Sequence, residues 1–571
     1  MANIIIDSVK ERVFDAIVIG SGISGGWAAK ELTEKGLKTL VLERGRDVQH
    51  IKDYPTTNLY PFELEHRGEI PLKEKKTAPI INRCYAYLED TEHFFVKDEE
   101  HPYVQDKPFD WIRGYQVGGK SLTWARQTQR WSDFDFEGPA RDGFAVDWPI
   151  RYKNIAPWYS YVERFAGISG NKDGIPQLPD GEFLPAYPLN AVEDYFNGKL
   201  KGSYSDRQVI SARCAHISKA EPIHLEQNRM QCQNRRLCQR GCPFGGYFSS
   251  NASTLPWAQK TGKMTLRPFS VVQSIIYDDQ LGKAVGVKVI DTETKEEIDF
   301  FAKIVFVNAS ALNTNLVLLN STSERFPDGL GNDSGLLGKY VAFHNYSARI
   351  SAEYNGLLQF KTDGRNPAGG GYIPRFRNVY KQETDFLRGY AAGFSGSRAV
   401  IRDTSGAGSD FKEQLLNPKL GPWRVGSHMM GETIPKKESY VALDHNQKDQ
   451  WGVPLLKVSI DYDENDAKMK ADFIEQFTEM FTKAGFTDIK ANVSSQAPGL
   501  DIHEMGGVRM GNDPKTSLLN KWNQLHHCEN VFVTDGSCMT STSSQNPSLT
   551  YMALTARAVD YAVNEMKKQN I

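Results

Sequence analysis

The chain has 571 residues, of which 40% are hydrophobic and 24% charged, and its formal net charge is −2. That length is too great for one simple core and suggests two or three packed units, while the near-neutral balance leaves no electrostatic footprint for nucleic acid or an anionic membrane surface. No apolar run approaches the length needed to cross a bilayer, and seven cysteines, an odd number, do not suggest a disulfide framework.

Residues 1–7 hold neither a basic region nor a long apolar stretch. The expected location is therefore cytoplasmic, or periplasmic if the chain is exported with a signal-bearing partner subunit. The next segment is the most informative. Ile17-Val18-Ile19 reads as a buried strand, residues 24–35 as a helix, and Leu40-Val41-Leu42 as a second strand ending at Glu43. Between strand and helix, Gly20, Gly22 and Gly25 form G-x-G-x-x-G. Gly20 permits the tight turn, Gly22 lets a pyrophosphate approach the backbone, and Gly25 lets helix and strand pack closely. The helix offers its N-terminal N–H groups to the phosphates, and Glu43 stands near the spacing of an acid that holds a ribose hydroxyl. Together these features predict an adenine-dinucleotide site.

Further along, Gly118, Gly119 and Ser121 suit either a loop facing the dinucleotide or an ordinary turn. Cys232, Cys238 and Cys242 make C-x5-C-x3-C. Three thiolates can hold a three-iron cluster, but zinc needs a fourth ligand that no nearby histidine supplies; local cysteines without a metal are the favoured reading, and no metal ligand is assigned. Residues 271–277 and 284–290 read as strands, and residues 304–309 as a buried strand leading into an apolar helix through Leu318. From about 344 to 497 the texture changes. Alternating segments at 347–354 and 455–461 suggest a mostly antiparallel sheet, with a helix over 464–484. In this block Tyr372, Phe394 and Trp423 could stack against a ligand or fill core. His526 and His527 read as surface residues. Near the C-terminus, His503 sits in a glycine-rich loop, residues 530–536 form a strand meeting Asp535 and Gly536, and Asn546 precedes Pro547 at the first turn of a helix over 549–566.

The Gly20–Gly25 fingerprint, the segment Gly118-Gly119-Lys120-Ser121-Leu122-Thr123-Trp124 and the block from His503 to Asn546-Pro547 resemble the glucose–methanol–choline oxidoreductases, nearest to pyranose oxidases and to bacterial glucoside 3-dehydrogenase large subunits. The resemblance implies FAD and an α/β fold, in which an interrupted Rossmann-like FAD-binding domain joins a substrate domain with a six-stranded antiparallel sheet. The expected division is 1–343 for the FAD-binding domain, 344–497 for the substrate domain, and 498–571 for the C-terminal part of the FAD-binding domain with the catalytic pair. It also implies cofactor contacts from Asp535, Gly536 and Pro547, and from the backbone at Val272 to adenine. Thr123 stands where fungal pyranose oxidases carry the histidine bonded to FAD, so FAD is expected to be non-covalent. Sugar dehydrogenases with an iron–sulfur cluster begin their cysteine pattern with two adjacent cysteines, whereas this chain has Gln233 second. His344 falls where relatives often carry a histidine near the domain junction, and reads as structural.

Oxidising an alcohol needs a base for the O–H proton and an acceptor for the hydride. The expectation is that His503 is the base and that Asn546 hydrogen-bonds the substrate hydroxyl. The expected reaction is oxidation of a pyranose or glycoside ring hydroxyl, at C3 in the leading form, with electrons leaving to a small subunit, a cytochrome or a quinone. The alternative is a pyranose-oxidase-like enzyme that makes hydrogen peroxide.

Overall fold

The computed structural model describes residues 11–361, 370–401 and 407–571. Residues 1–7, from which the location was read, lie outside the described residues.

An eight-stranded sheet forms around the dinucleotide fingerprint. Its main path runs Gln524–Leu525, Cys528–Val533, Glu297–Val307, Val13–Ile19, Thr39–Leu42, Met264–Arg267. Val13–Ile19 is parallel to Thr39–Leu42 and to Glu297–Val307, and Cys528–Val533 is parallel to Glu297–Val307. Buried on both faces, these strands are continuous apolar runs, which is why they are legible in the sequence. Helices Ile23–Glu34 and Ser548–Lys567 pack on each other, and Tyr152–Ala166 packs on the latter. The hairpin Ser270–Asp278/Lys283–Asp291 continues antiparallel from Glu297–Val307. The ends of Val13–Ile19 and Thr39–Leu42, the start of Ser270–Asp278, and the residues just after Glu297–Val307 and Cys528–Val533 thus meet at one cavity.

The second sheet has seven strands, six along the path Thr487–Val493, Ala348–Tyr354, Lys419–Glu432, Tyr390–Ile401, Gly371–Ile373, Ile210–Ser211. The two-residue strand His344–Asn345 pairs with the end of Lys419–Glu432. Helix Glu464–Lys483 covers one face, where Met469, Phe473, Phe477 and Phe481 meet Phe394 and Trp423. Sequence reading missed the edge strand Ile210–Ser211, which is too short to carry a periodic signal.

The middle block does not form one sheet. Tyr440–Lys448 and Pro454–Ser459 join a third sheet of five strands, with Met505–Gly507, Lys339–Ala342 and Val104–Gln105. Residues 455–461, expected in the antiparallel sheet of the middle block, instead help tie residues 339–342 to the loop after His503. An alternating strand reports that one face is buried, not which strand lies beside it.

Candidate active site

A cavity of about 540 Å³ runs from the glycine turn of the first strand to the second sheet. At its first end, main chain and empty space do the shaping. Gly20 has φ +94°, and a Cβ there would strike the Asn308 carbonyl. A Cβ on Gly25 would be driven into the Gly20 carbonyl oxygen, so this glycine sets the packing of helix on strand. At Gly22 a Cβ would meet no protein atom within 4 Å, because that position faces the cavity. Gly119 lies against it, with its added Cβ 3.5 Å from the Gly22 Cα, while a Cβ on Gly118 would strike Asn251.

Glu43 closes this end. Its Oε2 accepts from the Ser21 hydroxyl at 2.6 Å and the Ser21 amide at 3.2 Å, and its Oε1 accepts from the Gly45 amide at 3.0 Å. Burial raises its carboxyl above the usual range, opposed by those donors. The Ser121 hydroxyl donates to the Gly118 carbonyl at 2.6 Å and accepts from the Ser250 amide at 3.0 Å, fixing the loop over the glycine turn. The buried Ser24 Oγ and Asn308 Nδ2 have no hydrogen-bond partner in the protein although both residues line this cavity. Orphan polar atoms, a helix N-terminus and a Cβ-free approach together fit an adenine dinucleotide, whose pyrophosphate the Gly22 turn and the helix N-terminus would hold.

At the other end, His503 follows Ile502, which has φ +63°, and is drawn against two groups distant in sequence. His503 Nδ1 lies 2.8 Å from His344 Nδ1, and His503 Nε2 lies 3.2 Å from Asn546 Nδ2. The partners assign the protons. His344 Nε2 faces the carbonyl oxygens of Ser543 at 2.9 Å and Thr542 at 3.2 Å, so it must donate. Burial pushes His344 down to about 4, opposed by those carbonyls, so at neutral pH the ring is uncharged and its Nδ1 accepts. His503 Nδ1 is then the donor between the rings. His503 Nε2 is left with its lone pair, accepting from the Asn546 amide. Burial drives His503 well below its ordinary value of 6.5, with His344 and Lys120 adding to the effect.

The surrounding groups hold these rings in place. Asp501 Oδ2 accepts the His344 main-chain N–H at 2.9 Å; burial lifts this carboxyl to about 7, aided by Glu504 and opposed by backbone donors. Lys120 reaches Glu504 Oε2 at 3.2 Å, linking the 118–121 loop to the residue after His503. Asp535 Oδ1 accepts from the Ser537 amide and hydroxyl, and Oδ2 from Thr314 at 2.6 Å. A Cβ on Gly536 would strike the Glu504 carbonyl, so that glycine permits the loop carrying His503 to approach.

Asp535, Gly536 and Val272 line the cavity, as do Asn546 and Ser548, but Pro547 between them does not; it stands immediately before helix Ser548–Lys567. Trp423 and Phe394 are core residues, whereas Tyr372 lines the cavity. Among the described residues, only His344, Asp501 and His503 bring three potential ligand atoms within 4.8 Å of one another, so the sulfurs of Cys232, Cys238 and Cys242 do not meet that closely. Cys238 Sγ is instead 3.6 Å from His216 Nε2. Sequence reading missed the direct contact of His344 with His503 and the cavity positions of Asp501, Arg126 and His428. No spacing signal links residues 344 and 503.

Two segments match the GMC oxidoreductase family, residues 141–344 its N-terminal part and residues 435–555 its C-terminal part. The chain is 29% identical to the 2-methyl-1,2-propanediol dehydrogenase of Mycolicibacterium austroafricanum, over 96% of this chain and 94% of that protein. It is 24% identical to the fructose dehydrogenase large subunit of Gluconobacter japonicus, over 97% and 98% respectively. The fold is similar to that of the formate oxidase of Aspergillus oryzae RIB40, with a TM-score of 0.60 and 13% identity over 98% of this chain and 100% of that one.

Proposed function

We propose that this chain, which belongs to the GMC oxidoreductases, oxidises a ring hydroxyl of a pyranose or glycoside, at C3 in the leading form, and passes the electrons to an acceptor other than oxygen. Its family makes it an FAD-dependent oxidoreductase of alcohol or sugar hydroxyls. The observation that carries the finer reading is the His503 Nε2–Asn546 Nδ2 pair, 3.2 Å apart, facing a cavity whose other end is shaped for a dinucleotide.

FAD, when bound, supplies the two-electron acceptor for the hydride of the carbinol carbon. The protein's residues manage the proton. His503 Nε2 takes it from the substrate hydroxyl as the C–H and O–H bonds break and the C=O bond forms. Asn546 Nδ2 donates to the same oxygen and orients it. The charge arising on His503 is met by His344 Nδ1, which already accepts from His503 Nδ1. Thr123 lines the cavity with only a hydroxyl to offer, which supports non-covalent FAD that acid precipitation releases. The large-subunit relative supports a small-subunit partner; a small subunit or a cytochrome is the proposed electron acceptor, and the periplasm the proposed location where such a partner carries a signal. Among the described residues, no helix is long and apolar enough to cross a membrane.

The test is an anaerobic visible spectrum of the holoenzyme before and after a simple glucoside, then in air. Bleaching by sugar with slow recovery in air is expected. Fast recovery with peroxide would favour the oxidase, and no bleaching with any sugar despite bound FAD would overturn the substrate class.

A further inference from the structure

Arg126 lines the cavity while being only 8% exposed. Among the described residues its side chain makes no ion pair, and its buried Nε and Nη1 have no hydrogen-bond partner. Its one cation–π contact is with Tyr247, 5.4 Å to the ring centroid. Arg113, Arg207 and Arg229 also keep orphan nitrogens, but each of these, like other buried arginines among the described residues, has a hydrogen-bond or ion-pair partner. Arg130 meets Glu163 at 2.5 Å, Arg388 meets Glu432 at 2.9 Å, and Arg229 donates to the carbonyls of Gly245 and Ala166, each at 2.9 Å. A guanidinium stays charged at any relevant pH, and leaving its donors dry and unpaired is costly. The missing partner is therefore an acceptor that enters the cavity.

The position of Arg126 says which ligand that is. Its carbonyl accepts from the Ala215 amide at 2.8 Å, and the next residue, Gln127, bridges to Cys214. That segment continues strand Ile210–Ser211, whose partner Gly371–Ile373 forms the cavity wall with Gly371 and Tyr372. Arg126 thus belongs to the substrate-sheet end, as does Tyr85. The Arg126 guanidinium lies near the phenol of Tyr85, which is half exposed and also lines this cavity.

We propose that Arg126 receives an oxyanion of the substrate, so that the preferred substrate is a hydroxylated carbon skeleton carrying a carboxylate or a phosphate, such as a sugar acid, rather than a neutral sugar. A planar fork of donors matches either anion. The inference rests on the sugar-oxidation reading above and narrows it.

The experiment measures anaerobic flavin reduction in the holoenzyme with glucuronate, galacturonate and glucose 6-phosphate against glucose and methyl glucoside, in wild type, Arg126→Met and Arg126→Lys. A charge-assisted hydrogen bond corresponds to about 10- to 100-fold in selectivity. The ratio of kcat/KM for an acidic over a neutral compound is expected to favour the acid in wild type, to collapse by that factor in Arg126→Met, and to recover partly in Arg126→Lys. A carboxylate arm faster than the phosphate arm identifies a sugar acid, and the reverse identifies a sugar phosphate. An unchanged ratio in Arg126→Met overturns the inference, as does loss of FAD from that variant, which would place Arg126 on the cofactor. Reduction by neutral sugars alone overturns this inference and leaves the sugar-oxidation reading standing, whereas reduction by none of these compounds overturns both.

Discussion

At the dinucleotide end of the cavity the essential features are main chain and absent atoms: Gly22 faces open space, Gly25 admits the Gly20 carbonyl, and Gly119 abuts Gly22. At the proposed catalytic end three side chains from residues 344, 503 and 546 converge within hydrogen-bonding distance, and each owes its place to a different strand or loop. One end is founded on the consecutive residues from Gly20 to Gly45, with the 118–121 loop and Asn308 laid against them; the other exists only after the sheets have assembled. The two ends should therefore fail separately when mutated.

His503→Ala is the sharpest test of that separation. Removing a general base lowers rates by roughly 10²- to 10⁴-fold. Anaerobic stopped-flow is expected to show that loss in flavin reduction, while the FAD-to-protein ratio stays at the wild-type value. Concurrent loss of FAD would show that the ends are not independent.

The glycine end can be divided further. Gly25→Ala forces a Cβ against the Gly20 carbonyl oxygen, an overpacking expected to cost about 3 kcal/mol or more of stability, seen as a lower melting temperature without cofactor. Gly22→Ala meets no protein atom within 4 Å. It is expected to leave the cofactor-free melt within about 1 kcal/mol of wild type and to weaken FAD binding at least tenfold, by roughly the 1.4 kcal/mol that one decade represents. Equal destabilisation by both substitutions would contradict the assignment of Gly22 to the ligand and Gly25 to the fold.

His344 tests how far the catalytic end depends on its supporting ring. In His344→Phe nothing accepts the His503 Nδ1 proton, and the charge arising on His503 loses its partner. A fall in reduction rate of about 10- to 100-fold is expected, the worth of a hydrogen bond to a charged group. His344→Gln, whose amide oxygen can accept that proton, should recover part of it. A purely structural role would give equal losses for both variants in proportion to their stability.

What could be read beforehand follows the same division. The fingerprint, the strands around it and the helix over residues 464–484 were legible because their signals are local and periodic. His503 and Asn546 were legible through their motifs, but the tautomer of His503 was not, since it is set by carbonyls at Thr542 and Ser543 acting through His344. The aromatic residues of the second sheet show the limit most clearly. Gly371 pairs with Phe394 and Tyr372 with Gly393, so Phe394 and Tyr372 point to opposite faces. Phe394 and Trp423 join the core under helix Glu464–Lys483, while Tyr372 and His428, opposite Gly393, face the cavity. Composition cannot separate these residues; only the register of pairing does.

The smallest effect lies in the pH profile, and its sign follows from burial. A histidine whose pKa is depressed keeps its lone pair to lower pH than a free imidazole, which would begin to protonate at its ordinary value of 6.5. His503 is pushed well below that value by burial, and Lys120 adds in the same direction. The rate of flavin reduction at saturating substrate should therefore stay level as pH is lowered through 6.5, with its acid limb well below. Lys120→Gln removes one cation but leaves the larger contribution of burial, so it should move that limb upward by only a fraction of a pH unit. An acid limb at or above 6.5 in wild type would mean that His503 is solvated or paired with an anion in the working enzyme. In that case the base would be tuned by charge, and the catalytic end would owe less to the closure of the sheets around it than these contacts require.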